Sequence, residues 1–340
     1  MNYYYLILIP IIISITNYLL VKTKKLNNLS GEKHQLFATN NNIPLSGGIV
    51  IMSFIFSFFL FNYSFEYLAL LIILFLGLMS DLRLINSAKK RFFIQIIFIL
   101  GLVFYYEIYL LNIGVYFLDF FLKYKITSYL FFSFCLLVVV NGSNFIDGLN
   151  GLAIGYYLIV LMLILKLTIF LGYDQFQILV INFSLLLTYL LIFNFSNKLY
   201  LGDAGSYFLG VFVGSLLIII YKNFSTISSS YIVLLLWYPC FENLFSIIRK
   251  FRFNSSPLKA DNKHLHQLFF YFIKKKFNLS KLMTNNLTSV IINLINLSFM
   301  LVGSNFIFNT KIQVLLIVSL VLLYLLSYYI LFNFRYKIKS

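Results

Sequence analysis

Apolar residues run along this chain in long continuous blocks broken by short polar stretches, and most blocks are long enough to cross a bilayer. Eleven such blocks are predicted as helices: Tyr3 to Val21, Ile43 to Asn62, Tyr67 to Met79, Phe92 to Leu111, Ile126 to Val140, Leu152 to Leu171, Ile178 to Phe195, Tyr207 to Ile220, Ile232 to Ile248, Leu287 to Phe308 and Gln313 to Phe334. The expected fold is an all-α polytopic membrane protein, a single domain over residues 1–340. No basic residue precedes the first block, Lys22, Lys24 and Lys25 follow it at once, and no small-residue cleavage site ends it. It therefore reads as an anchor with an outward N-terminus, and an odd number of crossings puts the C-terminus on the other side.

The polar breaks are not alike. Asn141 to Ala153 reads Asn-Gly-Ser-Asn-Phe-Ile-Asp-Gly-Leu-Asn-Gly-Leu-Ala between two apolar blocks. At a membrane edge such a run is costly unless its polar groups are used, so Asp147 with Asn144 and Asn150 is a candidate site. A polar turn capped by Asn141 or Asn144 is the plainer alternative. Tyr200-Leu-Gly-Asp-Ala-Gly-Ser206 sets Asp203 between glycines, either to present its carboxylate from a tight turn or to cap the following helix through Asp203 or Ser206. Ser80-Asp81 closes the third block, and Lys89-Lys90-Arg91 opens the fourth. The segment 249–286 is expected to be a large polar loop, with His264 and His266 available to hydrogen bond phosphate. A His-x-His pair lacking a third nearby ligand is not a zinc site.

Composition agrees with the pattern: 61% of residues are hydrophobic, 11% are charged, and mean hydropathy is +0.92. That excludes a soluble domain. A net charge of +16 would suit a nucleic-acid partner, but 21 of the 26 basic residues fall in residues 22–44, 79–93, 194–206, 249–286 and the tail after Phe334. Such loops are the cytoplasmic set, so orientation accounts for the charge and no nucleic acid is expected. Asp81, Asp147, Asp203 and Asp261 fall on that same side, at the ends of different blocks. Cys135 and Cys240 sit inside apolar runs and read as core residues.

Taken together, Gly77-Leu-Met-Ser-Asp81, Asn144-Phe-Ile-Asp147-Gly-Leu-Asn-Gly-Leu, Leu201-Gly-Asp203-Ala-Gly-Ser206, and Pro257 through Asp261 to His264-Leu-His266 resemble the polyprenyl-phosphate N-acetylhexosamine-1-phosphate transferase family. Pro44-Leu-Ser-Gly47-Gly48, with His34 upstream, is similar to its N-terminal pattern. The resemblance implies a bacterial inner-membrane enzyme whose polyprenyl phosphate attacks a UDP-N-acetylhexosamine, releasing UMP and starting a surface polysaccharide. It implies Mg²⁺ as cofactor, held by Asp203 and Asp147, with Asp81 also catalytic. Asn144, Asn150, Ser206, Lys89, Arg91, His264 and His266 are the implied substrate-binding residues, and a homodimer is an allowed assembly. Three positions depart from the pattern: Ser80 and Asn150 stand where the family usually has acids, and Gln267 where it has a further histidine. These leave a catalytically impaired paralogue as the alternative. A transporter fits less well, because its polar residues would lie near the midplane and often in two repeated halves.

Overall fold

The computed structural model describes residues 8–23, 26, 43–62, 70–252, 256 and 262–336. Among these residues the regular structure is helical: α1 (Ile9–Thr23), α2 (Gly47–Asn62), α3 (Leu71–Asp81), α4 (Ala88–Tyr105), α5 (Tyr116–Leu122), α6 (Lys125–Ile146), α7 (Leu152–Phe170), α8 (Gln177–Phe195), α9 (Gly202–Asn223), α10 (Ser229–Arg252), α11 (Leu265–Phe277), α12 (Lys281–Ser304) and α13 (Thr310–Tyr336). Every predicted block corresponds to one of these, while α5 and α11 were not predicted. Seven helices, α6 to α10 with α12 and α13, are long and apolar enough to cross a membrane. Helices α1, α2 and α3 are apolar but shorter, and α4 opens on Lys89, Lys90 and Arg91.

Several boundaries moved in one direction. Helix α6 runs on to Ile146, so Asn141 to Ile146 belong to its last turns and not to a loop. Helix α9 starts at Gly202, five residues before the apolar block. The segment 249–286, expected as one polar loop, holds the end of α10, the whole of α11 and the start of α12. The reason is common to all three: a helix satisfies its own backbone wherever neighbours supply side-chain partners, so polarity alone does not end it.

Helix α9 is the axis of the bundle. Within its apolar window 94% of residues are buried, against 22% for α13, so α13 is peripheral. In lipid, apolar contact alone gives helices little reason to associate, and close backbone approach at small residues takes over. A Cβ on Gly77 of α3 would sit 2.3 Å from Ala204 Cα, and one on Gly48 of α2 would sit 2.4 Å from Ala204 Cβ. At the start of α2, Gly47 and Gly48 donate backbone hydrogen bonds to Tyr200 and Leu201 carbonyls, and Tyr200 N–H donates back to Pro44 O. The Pro44–Gly48 stretch is thus bound alongside the entry to α9. On the other side of α6, Gly142 lets α10 approach so near that a Cβ would meet Pro239 O at 2.1 Å. Proline lacks the N–H that would bond Leu235 O one turn back, and Tyr156 Oη donates to that carbonyl instead, at 2.9 Å.

The two ends of the bundle differ in chemistry. One gathers Ser80, Asp81, Arg91, Asn144, Asp147, Asn194 and Asp203. At the other, Lys125 pairs with Glu107 at 3.6 Å, Lys222 donates to Glu107 O, Lys166 donates to Ser304 and Asn305, and Gln177 donates to Asp174.

Candidate active site

The site begins with how α9 starts. Gly202 sits at φ +76°, and no side chain within α9 caps the helix. Its first free amides are taken by another helix: Asp203 N–H donates to Asp81 Oδ1 at 2.9 Å and Ala204 N–H to Asp81 Oδ2 at 3.1 Å. Asp81 is the last residue of α3, brought there by the crossing at Gly77. The expectation that Asp203 or Ser206 caps the helix is therefore corrected, since the cap comes from α3. A helix N-terminus favours an anion, and a carboxylate occupies it here. A side chain at position 202 would collide with it, its Cβ falling 2.7 Å from Asp81 Oδ2.

Not needed for capping, the Asp203 carboxylate collects four donors. Asn144 Nδ2 donates to Oδ1 at 2.7 Å. Ser80 Oγ at 2.5 Å, Arg91 Nη1 at 2.9 Å and Tyr207 Oη at 3.3 Å donate to Oδ2. Arg91 Nη1 also reaches Ser80 Oγ at 2.6 Å, and Asn144 Nδ2 lies 3.3 Å from Ser206 Oγ. Four helix ends, those of α3, α4, α6 and α9, meet at one carboxylate, which remains part-exposed. Asp147 follows α6 immediately, with the Gly202 N–H facing its carboxyl group. Desolvation first, then the nearby Asp203 and Asp81 charges, hold that carboxyl well above the usual carboxylate range. Burial, with the Asp147 charge beside it, likewise raises the Tyr200 hydroxyl.

Three carboxyl groups thus crowd together where one guanidinium, that of Arg91, pairs with Asp203 alone. Among the described residues no three His, Cys, Asp or Glu side chains form a metal-binding group. Mg²⁺ does not need one: it commonly takes one or two protein carboxylates and completes its shell with water and substrate phosphate. Asp203 and Asp147 fit that donor set by chemistry and by charge.

The remaining candidates divide. Ser206 is fully buried beside Asn144. Lys89 lies exposed on the first turn of α4, which Ser87 caps by accepting from Lys90 N–H. Asn150 is drawn away from the carboxylates: its N–H donates to Asn285 Oδ1 at 2.7 Å, its Nδ2 to Asn197 Oδ1 at 3.3 Å, and its carbonyl accepts from Ser289 at 2.5 Å. Gly151 N–H donates to Asn194 Oδ1 at 2.5 Å. The turn after Asp147 is thereby fastened to α12 and to the end of α8. His264 and His266, expected on an open loop, are buried at the start of α11. This is a correction with a local cause, because Gln267 Oε1 accepts from His264 N–H at the start of α11 and the helix buries His266, Leu268, Phe270 and Ile273. The His264 ring packs on Phe145, 5.1 Å between centroids, and a Cβ on Gly148 would lie 2.4 Å from His266 Nε2. Burial first, with His264 adding to it, pushes His266 down to about 3, so its ring is neutral. His34 and Asp261 lie outside the described residues.

Two contributors were not anticipated. Tyr207 stands four residues after Asp203, one helical turn on, a spacing that was open to inspection. Lys250, buried at the end of α10, places its ammonium 5.6 Å from the centre of the Phe145 ring.

Residues 63–221 match the profile of the family described as Glycosyl transferase family 4. A probable undecaprenyl-phosphate N-acetylglucosaminyl 1-phosphate transferase of Bacillus subtilis (strain 168) is 33% identical over 135 residues, covering 38% of this chain and 36% of the relative. The phospho-N-acetylmuramoyl-pentapeptide-transferase of Dictyoglomus thermophilum is 32% identical over 189 residues, 52% of this chain and 59% of the relative. An undecaprenyl-phosphate alpha-N-acetylglucosaminyl 1-phosphate transferase of Thermotoga maritima is 28% identical over 140 residues, 41% of this chain and 42% of the relative. The matched segments thus span between 36% and 59% of the length of these curated relatives.

Proposed function

Since residues 63–221 match the profile of glycosyl transferase family 4, we propose that this chain transfers an N-acetylhexosamine 1-phosphate from a UDP-sugar to polyprenyl phosphate. UMP is released, and the lipid diphosphate sugar that starts a cell-surface polysaccharide remains in the membrane. The observation that carries the reading is the cluster of Asp203, Asp81 and Asp147 around the α9 N-terminus, with Arg91 as its ion-pair partner. The names of the relatives supply the reaction class.

Bringing a phosphate monoester against a diphosphate concentrates negative charge, which bare carboxylates would repel. Asp203 and Asp147 are the residues that would hold Mg²⁺, which would supply positive charge to offset the charge developing on phosphate. Arg91 and Asn144 keep Asp203 fixed before substrate arrives. Asp81 fixes the α9 N-terminus, and with both oxygens accepting amide hydrogens it suits positioning better than proton removal. A phosphate monoester, with a second pKa of about 6, is already mostly ionised near neutral pH, so positioning suffices.

In the same reading the protein is a multi-pass bacterial inner-membrane protein with eleven crossings, and the Asp203 end faces the cytoplasm. One observation favours the rival, a paralogue that binds polyprenyl phosphate without turnover: Asp203 already accepts from four donors, so a metal must displace one. Membranes containing the protein, given UDP-N-acetylglucosamine labelled in the sugar, decide between them. A chloroform-soluble, Mg²⁺-dependent product with stoichiometric UMP supports transfer. UDP as the released nucleotide, or no product across a panel of UDP-sugars, rejects it.

A further inference from the structure

Among the described residues α10 carries an acid buried between helices and outside the carboxylate cluster. Glu242 lies midway along α10 with 1% of its surface exposed. A carboxylate there is costly unless both oxygens are satisfied, and both are: Glu242 Oε1 lies 2.8 Å from His264 Nδ1, and Oε2 accepts from Tyr324 Oη of α13 at 2.8 Å. An ionised carboxylate can only accept, so the proton of this pair sits on His264 Nδ1. His264 is the N-cap of α11. Its ring packs on Phe145 of α6, tilted at 5.1 Å, and on His266, stacked at 5.6 Å and 15°. His266 in turn abuts Gly148 in the turn after Asp147. A buried acid in α10 is therefore joined through His264 to Phe145, and through His264 and His266 to Gly148, at both sides of the Asn144–Gly148 turn.

Burying an acid solely to tie α10 to α13 would be a poor bargain, since apolar packing joins helices without the desolvation cost. What apolar packing cannot do is choose a histidine tautomer and aim the ring. The same logic governs metal-bound histidines, where a carboxylate on one ring nitrogen fixes the role of the other. We propose that Glu242 is a positioning residue: it fixes the Nδ1–H tautomer of His264 and so holds the α11 N-terminus against the Asn144–Gly148 turn, at the end of the site that takes the nucleotide sugar. This rests on the transferase reading for the identity of the ligand. The tautomer and the docking of α11 do not depend on it.

The test exploits a scarcity, for the chain has only three histidines. Protein labelled with ¹⁵N-histidine gives few imidazole resonances, and their shifts report which nitrogen is protonated. Glu242→Gln keeps size and retains an acceptor for Tyr324, but its amide donates to Nδ1 and drives the proton to Nε2. The expected result is a switch of the His264 resonances to the Nε2–H pattern and at least a tenfold weaker dissociation constant for UDP-N-acetylglucosamine, measured by calorimetry, with the thermal midpoint in detergent preserved. Tyr324→Phe is the companion variant. It leaves the Glu242–His264 pair in place, so the wild-type tautomer should persist and donor affinity should stay within threefold. Equal losses in both variants, an unchanged tautomer in Glu242→Gln, or a switched tautomer with unaltered affinity each overturn the proposal. Should Glu242→Gln fail to fold, loss of the Nδ1–H pattern or of donor affinity in Tyr324→Phe overturns it, and their retention there supports it. If wild-type protein binds UDP-N-acetylglucosamine yet makes no lipid-linked product, transfer fails as a reading while the positioning role is still decided by these measurements.

Discussion

Asp203 and Asp81 exchange the roles that adjacency in sequence would assign, and the exchange separates two kinds of loss. Asp203 caps nothing, so Asp203→Asn, nearly the same size, should insert and fold normally but lose at least a hundredfold in turnover, because the amide removes a full charge from the pair proposed to hold Mg²⁺. Product formation across a Mg²⁺ titration checks this, with Asp174→Asn as control, since Asp174 only accepts from Gln177 at the far end of the bundle. Normal activity in Asp203→Asn would remove the metal role. Asp81 is a cap as well as a site residue. Asp81→Ala should therefore cost about 1–2 kcal/mol of stability, the usual penalty for a lost cap, besides its activity. Asp147 carries the opposite balance. Its carboxyl is held above the usual range by desolvation and by Asp203 and Asp81, so the folded protein keeps a proton there that the unfolded chain has released. That contribution to stability is present below the unfolded pKa and is lost as pH rises through the folded one. Measured without Mg²⁺, Asp147→Asn should accordingly raise the thermal midpoint at neutral pH, and measured with Mg²⁺ it should abolish transfer. A midpoint that falls instead would contradict the charge repulsion assigned to this residue.

At the level of elements, the site depends on crossings that admit no side chain. Asp81 reaches the α9 amides because α3 and α9 touch at Gly77 and Ala204, and the Asn144 turn is placed by α6 lying against α10 at Gly142. Gly77→Ala puts a methyl within 2.3 Å of backbone, which cannot rotate away. Overpacking of this kind costs about 1–3 kcal/mol. The variant should lower both the thermal midpoint and turnover together, and Gly142→Ala should behave alike. Gly101, with nothing within 4 Å of its added Cβ, provides the control, and its alanine variant should be neutral. If Gly77→Ala keeps full activity at a lowered midpoint, the geometry at Asp81 is not set by that crossing. Helix α10 shows the same economy. Pro239 leaves Leu235 O without its helical partner, and Tyr156 supplies the hydrogen bond in its place.

For the whole molecule, orientation is the property most exposed to test. Single cysteines near Asp119 and at Lys275, treated on intact cells with a membrane-impermeant thiol reagent, should label at the first position alone. Labelling at Lys275 would reverse the assigned sides and with them the cytoplasmic site. The sequence by itself determined the class, all-helical and built of apolar spans, and where those spans lie along the chain, because hydrophobic length acts locally and needs no partner. It also singled out Asp81, Asp147, Asp203, Asn144 and Arg91, because charged and amide groups beside lipid are costly and stand out. Only the tertiary structure decided what each one touches. That Asp81 caps α9, that Asn150 is tied to Asn285 and Ser289 and not to the carboxylates, and that His264 is buried on Glu242 are all contacts between residues far apart in the chain. Glu242 lay unmarked within an apolar block, since an acid's cost there is offset only by partners, Tyr324 and His264, that no local pattern reveals.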